Sequence, residues 1–161
     1  FRTVRQNGQW VTEQLLDIPT SDIEFWDLDG DGREELAVIE GFHGNNVAVF
    51  KEEMGSYVRA LDLPAAFGHV LWAGPILGRP ALIVGSRAER KALTLYRLQA
   101  GDDGKLFVEQ QAELDQGQAP AQITVLEDGR TLLTTNHDVG ELAKYTLSCK
   151  DSPADATKGD S

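Results

Sequence analysis

Nine residues carry the densest cation chemistry in this 161-residue chain. Asp27-Leu28-Asp29-Gly30-Asp31-Gly32-Arg33-Glu34-Glu35 sets carboxylates at its first, third, fifth and ninth positions. A hard cation collects oxygen ligands, and a backbone that curls at Gly32 turns alternate carboxylates towards one point. The pattern predicts calcium held by Asp27, Asp29, Asp31, the Arg33 carbonyl and Glu35, in a structural role. An EF-hand would need Glu at position twelve, where Val38 stands, and helices where the flanks read as strands. Carboxylates packed together without a cation repel one another, so a metal-free acidic turn ranks lower. Magnesium ranks lower too, because it demands tighter octahedral geometry.

Three histidines supply chemistry near neutral pH: His43, His69 and His137. Imidazoles with a carboxylate suit zinc, manganese or iron, or act as acid and base, which makes His69, His137 and Glu141 the catalytic candidates. Arg, Asn and Trp suit an oxygen-rich ligand such as a sugar or carboxylate. His43, His69, Trp72, Arg87, Asn136 and His137 are the ligand-binding candidates, with Asn45 and Asp138 beside them. For a single histidine a satisfied surface role is the simpler reading; the case rests on the three acting as a set.

The elements that must position these residues are strands. Short alternating apolar runs are bounded by Gly, Asn and Asp, and no sustained 3.6-residue period predicts a helix. Phe1, Phe50, Tyr96 and Tyr145 recur at spacings of 49, 46 and 49 residues. That period, with three or four strands per unit, predicts an all-β propeller of four-stranded antiparallel blades. The propeller span is 1–148, divided as a half blade over 1–20, a blade with the acidic loop over 21–64, a blade over 65–115 and an incomplete blade over 116–148. Strands number two, four, four and three, with tight turns at Asn7-Gly8 and Asp128-Gly129. A sandwich of about thirteen strands is the second choice. Residues 149–161 read as a polar, disordered tail. Two full blades do not close a ring, so an N-terminal segment or another copy of the chain is expected to complete it.

Strand parity then sorts the candidates. His43 and His137 fall in second-to-third connections and His69 in a fourth-to-first connection, all at the end opposite the acidic loop. A mouth there would bind a small polar ligand or sugar, with a transition metal as an added possibility.

Composition narrows the partners. Formal net charge is −11, with 26 acidic and 15 basic residues and no basic cluster, which disfavours nucleic acid and anionic membrane. One cysteine, Cys149, excludes an internal disulfide and leans towards a reducing, cytoplasmic compartment.

The acidic loop resembles the calcium loop D-x-D-G-D-G-x-x-[DE] of FG-GAP or VCBS repeats, which joins the first and second strands of a propeller blade. The strings EGFHG (40–44), FGHVLWAG (67–74), GQAPAQITVLEDG (117–129) and NHDVGELAKY (136–145) are similar to bacterial propellers with VCBS-type repeats. More distantly they resemble the propeller of aldos-2-ulose dehydratases, metal-containing sugar lyases. The resemblance implies a calcium-stabilised propeller. It leaves open a ligand-binding module, a metal-dependent sugar lyase or isomerase, and a protein-interaction platform.

Overall fold

Alternating apolar residues and glycine-bearing turns produce thirteen strands in the computed structural model, which describes residues 1–149. They form four separate antiparallel sheets, each a meander in chain order. The first pairs β1 (Arg2–Gln6) with β2 (Gln9–Glu13). The second runs β3 (Thr20–Trp26), β4 (Glu35–Glu40), β5 (Asn46–Glu53) and β6 (Ser56–Pro64). The third runs β7 (Gly68–Ile76), β8 (Arg79–Ser86), β9 (Leu93–Ala100) and β10 (Leu106–Asp115). The fourth runs β11 (Pro120–Val125), β12 (Thr131–Asn136) and β13 (Glu141–Thr146). The chain is all-β among the described residues, and no sheet closes on itself. Of the expected tail, only Cys149, which is exposed, lies within the described residues.

Turn chemistry sets the hairpins. Asn7-Gly8 has positive φ at both residues, as a two-residue turn matched to strand twist requires. Met54-Gly55 and Leu77-Gly78 do the same, although Met and Leu carry no turn signal. Asp128-Gly129 differs from its expected tight hairpin. The turn spans 126–130, and the Asp128 carboxylate accepts from Arg130 N, Thr131 N and the Thr131 hydroxyl. Those bonds hold its pKa down at about 2, led by the Thr131 hydroxyl.

The second, third and fourth sheets pack face to face in chain order. Strand β4 divides its side chains by parity: Ala37 and Ile39 enter a cluster with Leu82, Val84 and Tyr96 of the third sheet. Leu36 and Val38 face the other way, with Phe50 and the linker residues Leu16 and Ile18. Strand β8 repeats the division, sending Ala81 and Ile83 towards Ile123 and Leu132 of the fourth sheet. Both strands are therefore buried on two faces, which is why their sequences read as unbroken apolar runs. Each fully buried Leu or Ile contributes about 1.5–3 kcal/mol relative to exposure. First strands of successive sheets meet: β3 packs against β7, and β7 against β11.

The aromatic period has a register to match it. Phe50, Tyr96 and Tyr145 lie on the third strand of their sheets, opposite Leu36, Leu82 and Leu132 of the second. Phe1 stands apart from this series, ahead of β1 and 85% exposed.

Candidate functional site

The acidic loop joins β3 to β4 and closes on itself through its own carboxylates. Asp27 accepts from Gly30 N at 2.8 Å and Gly32 N at 3.0 Å. Asp29 accepts from Asp31 N, and Asp31 from Arg33 N. Gly32, at φ +87°, supplies the left-handed turn that a side chain would resist. Ligating atoms of Asp27, Asp29 and Glu35 lie within 4.8 Å of one another, and Asp31 joins them through Lys51.

Glu35 decides whether this loop suits a cation. It opens β4, is 0% exposed, and its Oε2 accepts from Leu28 N at 2.8 Å. Its Oε1 is buried with no hydrogen-bond partner. Burial pushes its carboxyl up to about 7; the Leu28 N–H opposes this, Asp29 adds to it, Lys51 opposes it and Asp31 adds. An orphaned buried carboxylate oxygen beside two more carboxylates is the donor set a hard cation seeks. A hard cation fits these residues.

Sequence reasoning missed Lys51. From β5 its ammonium reaches Asp29 Oδ2 at 2.5 Å, Asp31 Oδ2 at 3.1 Å and Glu35 Oε1 at 3.7 Å. Despite burial, the bonds it donates to Asp29 and Asp31 raise its pKa. Against partial burial, the Arg33 N–H and Lys51 hold Asp31 below the usual carboxylate range. The signal available in the sequence was its place directly after Phe50, matched by Arg97 directly after Tyr96.

At the other end of the sheets, three loops are laced together. Phe67 N donates to Asn45 Oδ1 at 2.9 Å and Gly68 N to Gly44 O at 2.8 Å. Arg87 N and Ala88 N donate to the carbonyls of Phe67 and Ala66. Gly44 permits the closure, since a Cβ there would lie 1.7 Å from the Glu40 carbonyl oxygen.

This lacing assembles an aromatic stack. The His43 ring lies 4.6 Å from His69 and 4.8 Å from Phe67, near-parallel to both. Phe42 leans on His43 at 4.1 Å and is 85% exposed. Phe67 holds positive φ, at 55°, a conformation that bulky residues rarely adopt, and His43 holds 54°, which His adopts more readily. Strain of this kind collects at functional sites. Burial, with Arg87 and His43 nearby, pushes the His69 pKa down, so its ring is neutral at neutral pH. Phe42 and Phe67 are the members that the sequence reading left out.

The remaining candidates make contacts of their own. His137 contacts Asp138, which pairs with Lys91, and His137 N donates to the Ala119 carbonyl. Asn136 is buried and accepts from the Thr134 hydroxyl. Trp72 packs in the cluster between the third and fourth sheets, and its indole lies over Gly74. Glu141 begins β13 opposite Asn136 and is exposed. Compared with known proteins, the chain matches no family model, no curated protein and no solved structure.

Proposed function

We propose that this chain forms blades of a calcium-stabilised β-propeller of the FG-GAP or VCBS type. Its function is to bind a small polar, carbohydrate-like ligand at the rim bearing His43, Phe67 and His69. Support for the architecture comes from the meander order of the sheets, the contacts between successive first strands and the equivalent register of Phe50, Tyr96 and Tyr145.

The single observation that carries the function is the stack of His43 on His69 and Phe67, flanked by exposed Phe42 and by Arg87. Flat aromatic faces accept the C–H face of a pyranose, and an adjacent guanidinium binds hydroxyl or carboxylate oxygens. Stacked, near-parallel imidazoles hold their in-plane lone pairs in two separate planes. Such rings do not converge on one transition ion, which ranks the lyase or isomerase reading second. At the opposite end, Asp27, Asp29, Asp31, the Arg33 carbonyl and Glu35 would hold calcium, whose charge ties the β3–β4 hairpin together.

The test is an NMR titration of the histidine ring signals with neutral sugars and sugar acids. At least one is expected to shift His43 and His69 saturably, and Phe67→Ala to abolish the shift. Ring signals unmoved by every sugar would refute the binding reading.

A further inference from the structure

Lys51 and Arg97 occupy matching places in different chemical settings. Each directly follows the aromatic that pairs with a second-strand leucine, Phe50 on Leu36 and Tyr96 on Leu82. Each reaches the first-to-second connection of its own sheet. Arg97, almost fully buried, donates to the carbonyls of Pro80 at 2.8 Å, Arg79 at 3.1 Å and Ile76 at 3.2 Å, closing the β7–β8 turn. Lys51, with its side chain 19% exposed, closes the β3–β4 loop through carboxylates instead. In both sheets a third-strand cation clamps the inner hairpin. Only the β3–β4 loop adds the acidic donors that also suit a divalent ion.

We infer that Lys51 is the resident cation of the 27–35 loop and competes with calcium for the oxygens of Asp29, Asp31 and Glu35. This inference rests on the proposed calcium site. Its independent support is the buried, unpartnered Oε1 of Glu35, which the ammonium approaches only to 3.7 Å. The ammonium satisfies Asp29 and leaves Glu35 short of a partner. A divalent ion supplies the second charge, but must displace or share space with a cation fixed on β5. Lys51 therefore sets the calcium affinity low and keeps the hairpin closed without calcium. The exchange makes the loop a sensor of high calcium concentration.

The experiment compares wild type with Lys51→Met, Lys51→Gln and Lys51→Arg by calcium titration calorimetry, and by melting in chelator and in excess calcium. The two neutral variants are expected to bind calcium at least about tenfold more tightly, since removing one adjacent positive charge relieves more than one decade of competition. They should melt lower than wild type in chelator and recover in calcium. Lys51→Arg should keep the wild-type behaviour. Using both Met and Gln guards against failure of one variant to fold. If wild type binds calcium and the neutral variants bind it no more tightly, the exchange is wrong and the calcium site stands. If neither wild type nor the neutral variants bind calcium, the calcium site itself falls, and the exchange with it. Tight binding by the neutral variants alone would uphold the exchange and show Lys51 to be the sole cation of the native loop.

Discussion

Individual carboxylates in this protein differ in what they do with their two oxygens. Asp29, whose side chain is fully buried, is paired with Lys51, so Asp29→Ala is expected to lower the melting temperature in chelator as well as in calcium. Breaking a buried pair costs about 3–5 kcal/mol because the remaining charge is left uncompensated. Glu35→Gln should behave differently. An amide oxygen still accepts from Leu28 N while the unpartnered charge disappears. Stability in chelator at pH 8 should hold or rise, while calcium-induced stabilisation is lost; differential scanning calorimetry with and without calcium separates the two. Glu24 supplies a pH test away from the loop. Burial, then the charge of Asp22, pushes its carboxyl from 4.5 up to about 7. The folded state therefore binds more protons than the unfolded one between these values. This contribution to stability is fully present below about 4.5 and is lost as pH rises through about 7. Glu24→Gln should gain about 1–2 kcal/mol over wild type between pH 5 and pH 8, after allowing for solvent screening. A constant difference across that range would show that Glu24 titrates normally.

Elements here depend on side chains that satisfy backbone groups beyond the strand ladders. Arg97 holds three carbonyls at the β7–β8 turn, so Arg97→Met keeps the apolar stem and removes every donor. Unsatisfied buried carbonyls cost about 1–3 kcal/mol, which a urea midpoint would register. The β4–β5 loop depends on close approach instead. Gly44→Ala would force Cβ into the Glu40 carbonyl, and this should unlace the loop from Gly68 and Phe67. Loss of the His43–His69 stacking signature by NMR, with amide protection retained in β8, is the expected result. Sequence reading found every strand of these elements because each shows alternation or an unbroken apolar run. It missed the Met54-Gly55 and Leu77-Gly78 hairpins as tight turns because Met and Leu do not announce positive φ.

At the scale of the whole molecule, two chemistries stand at opposite ends of one strand. Glu35 opens β4, and the loop carrying His43 follows its last residue, Glu40. Six residues of strand separate them by roughly 17–20 Å. Perturbations at the two ends should be nearly additive over that distance. Replacing both His43 and Phe67 with Ala is expected to leave the calcium-induced rise in melting temperature unchanged, and Glu35→Gln to leave sugar titration at the rim unchanged. A double-mutant cycle with coupling well above about 0.5 kcal/mol would show that the ends communicate.

The sequence by itself determined the strand count, the order of the hairpins and the acidic loop. These are local matters of period, turn residues and carboxylate spacing along a few neighbouring positions. It also determined which connections share an end, since parity follows from counting antiparallel strands. Only the tertiary structure decided which residues meet. Lys51 lies 22 residues from Asp29 and enters the acidic loop through the β4–β5 register. Phe67 joins His43 because Asn45 and Gly44 accept its loop's amides. Trp72 shares a strand with His69, yet it packs between the third and fourth sheets. Pairing register and face-to-face packing bring distant residues within a few ångströms, and no spacing along the chain encodes that distance.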